Sequence, residues 1–267
     1  MGTRPQPTTA EFLNDLAARL GAPFRVCSDA HFAWLTPFDE RQHELHARIA
    51  GYGLRRLHEM IPGLVTVPPA GGWPAVLLPD VETQLRYDGQ FAGSGAQIIS
   101  GGTYRSYPIG HLAIPVSDRS AVDAAFAHEL VHAILSPRQV PVWIQEGIAC
   151  EVETRLGSRS DPFSDAHKLN ESIRYWRSHD VTDFWNGTAF GHPDSATHTY
   201  LLAQIIARRW TRDPRAMAHL CTLSPEAWTD QDRAIGIDRE LLLRSVVDPQ
   251  RRKGWLESML YAIFVGE

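Results

Sequence analysis

The feature that most constrains this chain is an apolar segment, residues 127–135, which contains no glycine or proline and carries His128, Glu129 and His132 in the spacing His-Glu-x-x-His. On an α-helix, side chains four positions apart project from one face. Both imidazoles would therefore point to the same side of a single helix. This is the arrangement by which one helix supplies two nitrogen ligands to Zn²⁺.

A catalytic zinc site takes a third protein ligand and leaves its fourth position open. Pro137 and Pro141 must end the first helix, and a second apolar helical pattern begins at Val142. Glu146 falls near the start of this second helix. Because a short connection makes two helices neighbours, Glu146 is the candidate third ligand.

These two segments resemble a known family. The His-Glu-x-x-His sequence is followed at residues 143–149 by Trp-Ile-x-Glu-Gly-x-Ala, and the combination is similar to the gluzincin zinc metallopeptidases, more narrowly to the bacterial peptidase-MA-like families. The resemblance covers residues 127–153 and otherwise only a loose order of elements. It implies that His128, His132 and Glu146 bind Zn²⁺, that Glu129 is the general base, and that a peptide or protein is hydrolysed.

The patterns along the chain predict an α+β fold in two subdomains. Strand and helix signals alternate in residues 1–135 and end in the HExxH helix, whereas residues 136–267 show helical patterns, continuing to about residue 264. With the resemblance, this indicates a zincin-like metallopeptidase fold. The N-terminal subdomain would hold a small mixed or antiparallel sheet, and the helical C-terminal subdomain would carry the third zinc ligand.

Residues 111–116 read as the last strand before the HExxH helix. Pro115 cannot donate a hydrogen bond to a neighbouring strand, which favours an edge position for this strand. In gluzincins an edge strand binds extended peptide along the cleft. The resemblance therefore implies this role for residues 111–116 or for the preceding residues 104–107.

Four further residues are candidates for supporting roles. Glu151 or Glu153 could accept a hydrogen bond from a zinc-binding histidine; Glu153, two turns after Glu146, is preferred, and a solvated acidic helix end is the alternative. In the resembled family a later helix carries a tyrosine or histidine that stabilises the oxyanion. His198 and Tyr200 are the available donors, with simple packing as the alternative for each.

A second histidine-rich helix is predicted at residues 40–61. It contains His43, His46 and His58. His43 and His46 have the wrong spacing for the zinc pattern, and the helix is polar on that side. We expect these histidines to lie on an exposed face and to take no part in metal binding.

The composition indicates which classes of partner are not expected. The net charge is −5 with no basic stripe, which argues against nucleic acid. No apolar run reaches membrane-spanning length and the first residues lack the apolar core of a secretory signal, so the expectation is a cytoplasmic protein without membrane contact. The 3 cysteines are widely spaced and form no disulfide framework.

Other functions remain open at this level. A catalytically inactive zinc-binding protein with a regulatory or interaction role is one, although a structural site has no use for Glu129. A zinc hydrolase of a non-peptide amide is another. A third is a coincidental HExxH in an unrelated helical protein.

Overall fold

The computed structural model describes residues 7–64, 67–91, 101–117, 122–161, 163–212, 214–215 and 217–218. Within these ranges the chain has the predicted α+β class, with a five-stranded mixed sheet. Contacts divide the chain into two compact units, Met1–Ile134 and Leu135–Glu267. The helices predicted beyond residue 218 lie outside the described residues.

The N-terminal elements follow one another as α1 (Thr9–Leu20), β1 (Arg25–Ser28), β2 (Phe32–Thr36), α2 (Glu40–Met60), β3 (Trp73–Leu78), α3 (Val81–Gly89), β4 (Thr103–Arg105), β5 (His111–Pro115) and α4 (Val122–Leu135). Helix α1 begins with a reciprocal capping box between Thr8 and Glu11. Its apolar stripe is buried against β2, β3 and β5, in a core made of Phe12, Leu13, Leu16, Leu20, Leu35, Val76, Leu78 and Ala113.

The sheet has the strand order β1-β2-β3-β5-β4. The two outer pairs, β1 with β2 and β4 with β5, are antiparallel, whereas β2, β3 and β5 run parallel. Parallel neighbours require long crossovers, and α2 is one of them. The three central strands are almost entirely buried, as expected for a sheet with packed faces.

The edge position predicted for residues 111–116 is wrong, because β5 lies between β3 and β4. A proline is tolerated at residue 115 because no paired residue of β4 lies opposite its nitrogen. The N–H of Val116 bonds the carbonyl of Leu78 on the β3 side, so the nitrogen of Pro115 faces the β4 side. Strand β4 pairs only with His111 to Ala113 of β5, so no residue of β4 is paired with Pro115. The edge strand on this side of the sheet is therefore β4, which overlaps the alternative stretch of residues 104–107 at Tyr104 and Arg105.

The exposed face predicted for the α2 histidines is confirmed for His58 and wrong for His43 and His46. His46 is 4% exposed and its ring packs on Phe38. His43 is half-buried, with Nε2 3.3 Å from the thiol of Cys27 and its ring edge-on to Trp34. The first two strands and the turn after them cover the side of α2 that its sequence marks as polar.

Helix α2 also positions α4. A Cβ atom added to Gly53 would lie 3.0 Å from the carbonyl oxygen of Asp123 and 3.8 Å from Cβ of Ala127. The two helices therefore approach closely where α4 leads into its histidines, and a side chain at residue 53 would force them apart.

The described C-terminal part is helical, as predicted. It contains α5 (Val142–Leu156), α6 (Ala166–Ser178), α7 (Thr182–Trp185) and α8 (Pro193–Trp210), with 3₁₀ turns at Ser136–Arg138 and Thr188–Gly191. The start predicted for α5 at Val142 is confirmed. Helices α5 and α8 form the main packing pair of this unit. None of the helices in the described ranges has the length and apolar character needed to cross a membrane.

Candidate metal centre

Helix α4 presents the two histidines of the HExxH sequence side by side. The rings of His128 and His132 are half-buried, with centroids 5.0 Å apart and planes tilted by 57°. The flanking residues of the helix, including Phe126, Leu130 and Val131, are fully buried. Burial of the rest of the helix surface leaves the histidine face as the part of α4 that can receive a ligand.

A tight turn leads from α4 into α5. The 3₁₀ turn is followed by Gln139 in the left-handed region, with φ 54°. Pro141 then precedes the first residue of α5, and its carbonyl accepts the N–H groups of Ile144 and Gln145. Glu146 follows directly. The two proline breaks thus end one helix and start the next within a few residues, as the sequence predicts.

The structure brings the three predicted ligands together. One ligand atom each from His128, His132 and Glu146 lies within 4.8 Å of the other two. In the described part of the chain, this is the one group of histidine, cysteine or acidic side chains with that proximity. Two imidazole nitrogens and a carboxylate oxygen are donors suited to a divalent metal, and two ligands of one tetrahedral ion stand roughly 3.4 Å apart. The group could bind a metal ion with small side-chain adjustments.

Glu129 lies next to this group in sequence and is 5% exposed. A Cβ atom added to Gly102 would be 3.0 Å from Cγ of Glu129 and from Cδ1 of Ile114. The backbone entering β4 therefore passes close to the Glu129 side chain, and a residue with a Cβ there would require the Glu129 or Ile114 side chain to shift by a few tenths of an ångström. Burial of a carboxylate is energetically unfavourable unless the group has a polar partner, so its presence here is consistent with a functional role.

A buried polar network, which sequence reasoning missed, adjoins Glu129. Tyr87 bonds His111, and Arg105 pairs with Asp88 at 2.7 Å while its guanidinium lies over the Tyr87 ring. Burial raises the pKa of Tyr87 well above its usual value, and the charge of Glu129 adds to this effect. Tyr87 and Asp88 lie on α3, Arg105 on β4 and His111 on β5, so no local sequence signal links the three elements.

Of the two acidic candidates on α5, Glu151 does not serve a histidine. Both of its oxygens accept from Nε of Arg208, and one also accepts from Arg155. Glu153 is partly exposed and pairs with Arg159 at 3.4 Å. A role for Glu153 in orienting a zinc-binding histidine stays a prediction.

Both candidate oxyanion donors lie on α8 and have packing partners. The ring of His198 stacks on Tyr175 with centroids 4.5 Å apart, and burial lowers the pKa of His198. Tyr200 meets the ring of Phe190 edge-on at 5.1 Å. Packing accounts for both rings, and the oxyanion role stays a prediction.

No protein-family model matches this chain, and no curated protein matches it closely enough to indicate a relationship. The resemblance to gluzincins therefore depends on residues 127–153 alone.

Proposed function

We propose that this protein is a zinc-dependent peptidase of the gluzincin type with a zincin-like fold. His128, His132 and Glu146 hold Zn²⁺ and Glu129 is the general base. The observation that carries the proposal is the proximity of three ligand atoms from two helices. Helical spacing predicts the two histidines, and the short connection together with the resemblance predicts Glu146. A chance HExxH on a helix does not require a glutamate from the next helix to meet its histidines.

Zinc suits this ligand set better than the other common divalent ions. Magnesium and calcium prefer oxygen ligands throughout, whereas imidazole nitrogen suits zinc and its neighbours in the transition series. Zn²⁺, when bound, supplies Lewis acidity that lowers the pKa of water and polarises a carbonyl group.

Glu129 carries out the proton transfers of the proposed reaction. It is adjacent to His128 on α4 and buried, so its carboxylate is held beside the ligands rather than in bulk water. It takes a proton from the attacking water and delivers it to the nitrogen of the leaving amine. One carboxylate in one position therefore serves as base in the first step and as acid in the second.

The edge strand supports a peptide as the substrate. Strand β4 is the last strand of the sheet order, next to β5, and a Cβ atom added to Gly102, the residue before it, would lie 3.0 Å from Cγ of Glu129. An extended peptide can add to such an edge through main-chain hydrogen bonds, which hold a peptide irrespective of its side chains. The scissile bond of a peptide paired there would lie near the Glu129 carboxylate.

The test is the zinc content of the purified protein and of its His128→Ala and Glu146→Ala variants. We expect about one zinc per chain in the wild type and sharply weakened binding in both variants. His58→Ala, which removes an exposed histidine of α2, is the matched control and should keep the metal. A wild-type protein that neither contains zinc nor takes it up on titration would overturn the proposal.

A further inference from the structure

Helix α5 carries the third metal ligand, and its contact with α8 is unusually close beside that ligand. A Cβ atom added to Gly147 would collide with the carbonyl group of Ala203 and crowd Cβ of Ala207. The residue next to Glu146 is therefore the point at which the two helix backbones meet.

One turn further along the same face, a buried ion pair joins the two helices. Glu151 is 2% exposed, and Nε of Arg208 donates to its two oxygens at 3.2 and 3.0 Å. The remaining nitrogens of Arg208 form a two-point pair with Asp161, with both distances 2.9 Å. A single guanidinium thus ties α5 and the segment after it to α8.

Two hydrogen bonds extend this face of α5 towards its C-terminal end. Nε2 of Gln204 donates to the hydroxyl of Thr154 at 2.6 Å, and Arg155 donates to the hydroxyl of Thr211 at 2.8 Å. Both partners belong to α8 or to the residue that caps it. After Gly147, each turn of α5 therefore makes at least one hydrogen bond or ion pair to α8 or its cap. These directional bonds fix the position of α5 along α8 more tightly than apolar contacts alone would.

Because α5 is a rigid helix, its contact with α8 also determines the direction in which Glu146 points. Gly147 and Glu151 are four residues apart and share the face that meets α8, whereas Glu146 lies about 100° around the helix. Rotation of α5 about its axis would swing Glu146 and would also withdraw Glu151 from Arg208. Glu151 would keep only Arg155, which lies on α5 itself, and loss of its other partner in that buried position is unfavourable, so the rotation is opposed.

We propose that Arg208 is a positioning residue for the metal site. Its pairs with Glu151 and Asp161 set the register of α5 on α8 and so hold Glu146 in the direction that binding requires. This inference rests on the proposed zinc site. Metal ligands must be placed within a few tenths of an ångström of their bonding positions, so loss of register should weaken zinc binding even in a protein that is fully folded.

The experiment separates register from stability with a double variant of the full-length protein. Arg208→Met alone removes the guanidinium that bonds both oxygens of the buried Glu151 carboxylate and leaves it only Arg155 and a long contact with Gln204, so this variant is expected to be destabilised. Glu151→Leu combined with Arg208→Met replaces the ion pair by apolar side chains of similar size, which is often neutral or favourable for stability. Asp161 loses a partner but is 47% exposed and can be solvated. Arg155 loses its bond to Glu151 but keeps its bond to the Thr211 hydroxyl and is 23% exposed.

Zinc affinity, measured by competition with a chromophoric chelator, is compared with the melting temperature of the metal-free protein. We expect the double variant to melt close to the wild type and to bind zinc at least ~10-fold more weakly, the size seen when groups supporting a ligand are removed. Arg19→Met is the control, since its pair with Asp15 is exposed on α1. This variant should bind zinc as the wild type does.

Unchanged zinc affinity in the folded double variant would overturn the role of Arg208 and leave the proposed function intact. Absence of zinc binding by the wild type would overturn both. A double variant whose zinc affinity falls while Arg19→Met retains it would support the positioning role.

Discussion

Tyr87 and His111 form a hydrogen bond within the N-terminal unit, with 2.6 Å between the phenolic oxygen and Nε2. Nδ1 of the same imidazole lies 2.7 Å from the carbonyl oxygen of Ile109, which can only accept. Nδ1 therefore carries the ring proton, Nε2 accepts, and the phenol donates. Both side chains are completely buried, and the pair is neutral.

This neutral histidine should make stability depend on pH. Burial lowers the pKa of His111 from 6.5 to about 4. In the unfolded chain a histidine is protonated near pH 6.5, so between these values the unfolded state binds more protons. The free energy of unfolding should fall as pH drops from about 6.5 towards 4, by an amount on the order of 3 kcal/mol. Below both pKa values the contribution is lost.

Denaturant unfolding at pH 7, 5.5 and 4.5 measures this dependence. The control is His111→Gln, which cannot titrate and should lose less stability over the same pH range. An identical pH dependence in the wild type and the variant would show that another group is responsible.

Replacing the donor of the same pair should destabilise the protein at neutral pH. Tyr87→Phe keeps the ring contacts with Phe91 and His111 but leaves Nε2 of His111 buried without its donor. The expected loss is about 1–3 kcal/mol in the free energy of unfolding. Tyr52→Phe, at an exposed position on α2, is the matched control and should change stability by less than ~0.5 kcal/mol. Equal effects of the two variants would contradict the assignment of the hydrogen bond.

A methyl group at residue 147 should be costly. Gly147→Ala must separate α5 from α8, because the added Cβ would collide with the Ala203 carbonyl. Overpacking of this kind costs about 1–3 kcal/mol or more. Gly89→Ala is the comparison: an added Cβ at Gly89 meets no atom within 4 Å. Thermal unfolding should show a lower melting temperature for Gly147→Ala and little change for Gly89→Ala. Tolerance of Gly147→Ala would mean that the two helices pack less closely in solution.

Glu129→Gln should separate metal binding from catalysis. Glutamine has nearly the same shape but cannot accept and return a proton, so zinc content should be unchanged while hydrolysis falls by at least about 10²-fold, the usual contribution of general acid–base catalysis. The measurement is cleavage of a mixed peptide library followed by mass spectrometry, beside zinc analysis. A variant that cleaves at the wild-type rate would refute the role of Glu129 as the base.

Removal of the metal should lower stability. Zinc bound only by the folded state stabilises it by about 2.7 kcal/mol when free zinc is 100 times its dissociation constant. A chelator should therefore lower the melting temperature of the wild type but leave that of His128→Ala unchanged, since the variant lacks a ligand. Equal shifts in both proteins would place the stabilising metal elsewhere.

Features that depend on neighbours in sequence could be predicted from the sequence. The start of α5 at Val142 and the two histidines on one face of α4 follow from the helical period and from the positions of proline. The start of α1 follows from a threonine cap, which the sequence allows at Thr8 or Thr9 and the structure places at Thr8. Glu146 could be assigned beside them because a short connection keeps two helices adjacent.

Features that depend on distant partners were decided by the tertiary structure. Which strand forms the edge depends on pairing order, so Pro115 was a misleading signal and β4 took that position. The same holds for His46, whose burial depends on the residues that cover α2, and for Glu151, whose partner Arg208 is 57 residues away. A local pattern records how a side chain is directed from its own helix or strand, whereas burial and ion pairing require knowing what lies opposite.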